Sequence, residues 1–133
     1  MTRSLEKKPM NFNQQLEERL INFAVLVIDV VNRLPDNRIG SHLGGQLQRS
    51  GTSPALNYGE ALGAESRKDF IHKLGITLKE LRESNNCLKI LGQINYIKMN
   101  DPALIECNEL ISIFVKSITT SKKNSNTQRQ ANN

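Results

Sequence analysis

A chain of 133 residues, 38% of them hydrophobic, has room for one domain with a single sizeable core. It has no Trp, four Phe and two Tyr, so that core is aliphatic, and no apolar run approaches the roughly 20 residues that span a bilayer. Eighteen bases against thirteen acids give a net charge of +5, which permits attraction to nucleic acid and demonstrates none.

The N-terminal "MTRSLEKKPMNF" carries charge but no apolar core of a secretory signal, so a cytoplasmic protein without membrane association is expected. Residues 1–10 read as a flexible leader and 11–120 as the folded unit. Leu16, Leu20, Phe23, Val27, Val30 and Leu34 recur at helical spacing, with Ile21, Ala24, Ile28 and Val31 widening the seam. Asn11 is placed to cap this helix with Gln14 three residues on. Pro35 ends it, because the residue before a proline avoids helical angles.

A second helix is expected over about Ile39–Leu62. Its stripe is Ile39, Leu43, Leu47, Pro54, Tyr58 and Leu62. Its glycines weaken it, by about 1 kcal/mol each against Ala. Pro54 removes one helix hydrogen bond and predicts a kink near Ser50, with Gly51 free to give way to it. Ser66 caps the third helix, with Asp69 in its first turn. Phe70, Leu74, Thr77, Leu81, Ser84, Leu88, Leu91 and Asn95 then alternate at four and three. Three of those eight seam positions are polar, a pattern that fixes register. Asp101 and Pro102 open the fourth helix, whose stripe is Leu104, Cys107, Ile111, Phe114 and Ile118. Residues 121–133 are polar, with three bases and no acid, and read as a disordered tail. Four helices with short connections predict an all-α, up-down-up-down antiparallel four-helix bundle, its second helix kinked near Pro54.

Little in the sequence points to catalysis, a cofactor or a metal. His42 and His72 lack a second ligand at helical spacing. "GQLQRSGTS" (45–53) lacks the lysine and the preceding strand of a phosphate loop. Ser50 and Ser53 sit on no nucleophile elbow. Cys87 and Cys107 are expected to be reduced and packed as small apolar residues.

Arg49, Ser53, Asn57 and Glu60 share one helix face beside the apolar stripe. Partly buried, they must be paired, and Thr77, Lys79, Glu80 or Glu83 of the third helix are the expected partners. The Gly, Ser and Ala residues around them would let backbones approach closely. The alternative is a solvated polar face, and the exposure of Asn57 separates the two.

The stretch "QLQRSGTSPALNYGEALGAESRKDFIHKLGITLKELRES" resembles the signature of a bacterial four-helix bundle family encoded by intervening sequences in 23S rRNA genes and labelled ribosomal-protein-like. The matching residues are Gln46, Leu47 and Arg49; Ser53 and Asn57; Glu60; Arg67, Lys68 and Phe70; then Lys79, Glu80, Leu81 and Glu83. The chain departs from the family pattern in having Pro directly after Ser53 and "NYGEA" for the commoner Asn-Ile-Ala-Glu-Gly. The likeness covers about residues 12–120. It implies a homo-oligomeric ring, often a pentamer, with no enzymatic activity. It also implies a relation to the accessory variability protein of diversity-generating retroelements, a basic pentamer that binds nucleic acid and a reverse transcriptase.

The expected function is therefore RNA or DNA binding by phosphate contacts. The candidate residues are Arg38, Arg49, Arg67, Lys68, Lys73, Lys79 and Lys89, with Lys122, Lys123 and Arg129 adding attraction from the tail. The alternative is a structural or adaptor module for a protein partner, such as a reverse transcriptase.

Overall fold

A computed structural model describes residues 9–131, without the side chains of Gln128 and Arg129. Residues 1–8 of the expected 1–10 leader and the last two residues lie outside that range. Four helices follow in order: α1 Phe12–Arg33, α2 Arg38–Leu62, α3 Arg67–Gln93 and α4 Pro102–Ala131. α2 packs on α1 and α3, and α4 packs on α3 and α1, while the diagonal pairs stay apart. That ring of neighbours is the up-down-up-down bundle.

Local chemistry sets the ends. Asn11 accepts from the Gln14 amide at 2.8 Å, and the Gln14 side chain returns the bond to the Asn11 amide. Asn37 caps α2 through the Gly40 amide, and Ser66 caps α3 through the Asp69 amide. Asp101 accepts from the Ala103 amide at 2.9 Å and also pairs with Arg33 at 2.9 Å. This one carboxylate, buried to 6% exposure, ties the end of α1 to the start of α4. The arrangement holds the Arg33 guanidinium above its ordinary pKa, first through that hydrogen bond.

Two expected element bounds change, and Ile21, Ile28, Ile39 and Leu62 of the expected apolar stripes are exposed. Asn95 is not a seam residue: α3 ends at Gln93, and Asn95 is exposed in the left-handed region (φ 64°), while the Tyr96 amide bonds back to Leu91. Nor do residues 121–131 lie outside the helix, since α4 runs on to Ala131. Each added residue there gains one backbone bond on an existing helix, so propagation costs far less than nucleation. Ser121 is buried, and the Thr127 hydroxyl bonds the Lys123 carbonyl.

The core is aliphatic around one aromatic pair, Tyr58 edge-on to Phe114 with centroids 5.6 Å apart. α2 runs through Pro54 without interruption and buries its small residues Ser50, Gly51 and Pro54. Ser50 and the seam residue Ser84 are both fully buried, and their hydroxyls are hydrogen bonded across the α2–α3 seam at 2.9 Å. Ser84→Ala leaves Ser50 without its partner across the seam and is expected to cost about 1–3 kcal/mol, whereas the double Ser50→Ala, Ser84→Ala chain recovers most of that. Urea midpoints of the two variants and the wild type measure it; equal losses in the single and double variants would refute the pairing.

Both cysteines are free and buried. Burial pushes the Cys107 thiol from about 9 up to about 12, and raises Cys87 as well. Burial, aided by the charge of Glu17, pushes the Tyr58 phenol from 10 up to about 12. The unfolded chain therefore loses these protons first. Their contribution is intact below about pH 9 and is lost as the pH rises toward 12. Urea midpoints followed upward from neutral pH are expected to fall across that window, and to fall less steeply in Cys107→Ala.

Candidate nucleic-acid interface

Positions 68, 72, 75, 79, 82, 86 and 89 follow one face of α3 at alternating spacings of four and three. They are Lys68, His72, Gly75, Lys79, Arg82, Asn86 and Lys89, and every one is exposed. The stripe holds four permanent cations and no acid. At about 1.5 Å per residue it runs roughly 30 Å along the bundle. Among the described residues Lys68, Lys79, Arg82 and Lys89 make no ion pair with a carboxylate.

α4 adds to it. Lys68, Ile71, Lys122, Ser125 and Asn126 line a surface cavity of about 230 Å³ between the start of α3 and the far end of α4. A neighbouring cavity of about 370 Å³ is lined by Ile71, His72, Gly75, Ile76, Lys79, Ile118 and Lys122. The two share Ile71 and Lys122, so they form one trough with Gly75 open on its floor. No acid among the described residues lines either part. Arg67 and Lys68 also sit at the N-terminal end of α3, where the helix dipole favours an anion.

Two acids of α3, Glu80 and Glu83, turn to the α2–α3 seam, while the third, Asp69, lies in the first turn next to Lys68. Arg49, half exposed, holds Glu80 at 3.0 Å and Glu83 through its other terminal nitrogen. Glu60 pairs with Lys73 at 3.1 Å. Glu60, Glu80 and Glu83 thus meet cations in the α2–α3 seam, with Glu80 and Glu83 beside the stripe and not on it.

The expected site residues are consequently divided. Arg49 and Lys73 serve ion pairs between α2 and α3. Lys68, Lys79 and Lys89 share the stripe, and Arg67 stands at its head. Arg38 is exposed at the first position of α2, off the stripe. Within the expected polar network, Arg49 meets Glu80 and Glu83, but Ser53 turns back to the Arg49 carbonyl at 2.7 Å and Glu60 joins Lys73 instead. Asn57 is half-buried, between the two outcomes that its exposure was to separate, and makes no side-chain hydrogen bond among the described residues.

Arg82 and His72 are new members of the stripe, and Lys122 moves from a tail to the wall of a trough. The signal for Arg82 lay in the spacing from Lys68, Lys79 and Lys89. The Arg129 side chain lies outside the described residues.

No group of three His, Cys, Asp or Glu side chains among the described residues could hold a metal. No helix among them is long and apolar enough to cross a membrane.

The fold and this surface define a four-helix bundle with one basic helix face. Residues 13–119 match the family model described as 23S rRNA-intervening sequence protein, and the chain belongs to that family. Among solved structures, it is similar to a protein of unknown function from the S23 ribosomal protein family of Bacteroides thetaiotaomicron. The two are 30% identical, with a TM-score of 0.72, over 77% of this chain and 97% of that one. No curated protein matches.

Proposed function

We propose that this chain is a non-enzymatic nucleic-acid-binding bundle that grips phosphates along the α3 stripe and the α3–α4 trough. The observation that carries the reading is the acid-free run of exposed cations at 68, 79, 82 and 89, joined by Lys122. The seam ion pairs support it, because Arg49 draws Glu80 and Glu83 away from that face. Exposed lysines on a rigid helix suit a regular array of phosphates, and no aromatic platform accompanies them to read bases. Binding is therefore weakly sequence-specific. The family description points to 23S rRNA, which favours RNA over DNA.

A second reading is assembly or an adaptor role, favoured by the outer face of α1. Ile21, Val25 and Ile28 are 51%, 59% and 45% exposed at spacings of four and three, and Leu56 of α2 is 71% exposed. Such a patch suits another copy in a ring, or a protein partner such as a reverse transcriptase.

The test is a salt titration of binding to structured RNA, single-stranded RNA and duplex DNA, beside light scattering. Submicromolar binding that weakens log-linearly with salt, strongest for structured RNA, is the expected result. An oligomer that binds none of the three at low salt overturns the first reading and leaves the second.

A further inference from the structure

The end of the bundle where α1 begins and α2 stops is not closed. There α4 continues past its neighbours, and a cavity of about 530 Å³ opens among all four helices. That volume falls in the range of small-ligand pockets, about 300–1,000 Å³. Its apolar wall is Phe12 and Leu16 of α1, Tyr58 of α2, Phe70 and Leu74 of α3, and Ile113 of α4.

Four polar side chains of α4 line this cavity without a hydrogen-bond or ion-pair partner among the described residues, Lys116, Ser117, Thr120 and Ser121, and two of them carry the argument. The first is the Ser121 hydroxyl, which lines the cavity at 9% exposure. Helical serines and threonines ordinarily bond the carbonyl one turn back. Ser112, Thr119 and Thr127 of the same helix do so, while Ser117, Thr120, Ser121 and Ser125 do not, and of these four Ser121 alone is buried. Ser121 bonds no group among the described residues, and a buried hydroxyl left so is costly. The second is Lys116, exposed on the rim, with no carboxylate paired to it among the described residues. Asn13, also on the wall, is already engaged, accepting from the Tyr58 hydroxyl at 3.0 Å.

We propose that this cavity binds a small anionic amphiphile, a medium-chain carboxylate in chemical class. Its hydrocarbon lies against Leu16, Tyr58, Phe70, Leu74 and Ile113, and its carboxylate accepts from Ser121 and pairs with Lys116. The apolar wall explains the tail, the orphan hydroxyl explains an acceptor, and the single cation explains a negative one. The site stands apart from the basic stripe, so its test does not depend on nucleic-acid binding.

The experiment is calorimetric titration of the full chain with sodium decanoate, below its micelle concentration, and with decanol as the neutral analogue. Saturable binding of decanoate at one site per chain is expected, with decanol about tenfold weaker. Lys116→Met keeps the stem and removes the charge, and Ser121→Ala removes only the hydroxyl; each is expected to weaken decanoate about three- to tenfold and to leave decanol unchanged. Ile113→Trp fills the cavity and abolishes both. If that variant does not fold, the two polar variants carry the test. Absence of saturable binding by the wild type, or equal affinity in the wild type and both polar variants, overturns the proposal.

Discussion

Gly51→Ala is expected to destabilise the bundle by about 1–3 kcal/mol, whereas Gly45→Ala, on the same helix, stabilises it by up to about 1 kcal/mol. Helix propensity alone predicts a gain at both sites, since Ala outranks Gly in a helix interior by about 1 kcal/mol. The surroundings decide the sign. A Cβ on Gly51 would lie 2.6 Å from both γ-carbons of Val27 and 2.9 Å from its Cβ. Val27 is fully buried and β-branched, so it has no free rotamer into which to retreat. The backbones of α1 and α2 must part or the core must shift. A Cβ on Gly45 meets nothing within 4 Å. Thermal and urea unfolding of the two variants read the difference directly. For a chain of this size the expected loss at Gly51 is roughly 3–12 °C in Tm. Val27→Ala in the Gly51→Ala chain then costs less than in the wild type, with a coupling of about 1 kcal/mol or more. A Gly51→Ala chain as stable as Gly45→Ala would mean that α1 and α2 do not approach as described.

That glycine shows where sequence reasoning stops. The caps at Asn11, Ser66 and Asp101 were legible because capping is local: a polar side chain, a short spacing and a following apolar run suffice. The apolar stripes were legible because burial imposes a period. The Arg49 pairing with Glu80 and Glu83 could be anticipated, since all three fall on facing sides of consecutive antiparallel helices. Gly51 was read as slack for a proline kink, but its close contact is with a residue 24 positions earlier, at Val27. No local pattern encodes such an approach. The same holds for the open end of the bundle, which exists only because α4 outruns its neighbours. Its extension was missed because residues 121–131 carry no apolar stripe, and the pattern rule detects helices by the face they bury. The basic stripe was half legible. Counting acids and bases along α3 gives a mixed helix. Only sorting them by face separates Lys68, Lys79, Arg82 and Lys89 from Glu80 and Glu83.

The sorting also sets the second large effect. Replacing Lys68, Lys79, Arg82 and Lys89 together by Gln is expected to reduce the salt dependence of RNA binding by about 3 in the slope of log K against log salt, since each phosphate contact contributes about 0.7–0.9. If the high-salt intercept is unchanged, the affinity near 0.1 M salt falls by about a thousandfold. Folding should hardly change, because all four side chains are exposed and none is in an ion pair among the described residues. Arg38→Gln with Lys98→Gln removes two exposed cations off the stripe and is expected to lower the slope by less than 1. The contrast separates contact from net charge. If affinity followed net charge alone, two neutralisations anywhere would have half the effect of four on the stripe. Arg49→Met adds a third arm. It frees Glu80 and Glu83 beside the stripe without removing a stripe residue, and so should weaken binding through repulsion of phosphate. A quadruple variant that keeps both affinity and slope would move the nucleic-acid contact off α3. An Arg49→Met chain that binds like the wild type would show that the seam ion pairs serve the fold alone.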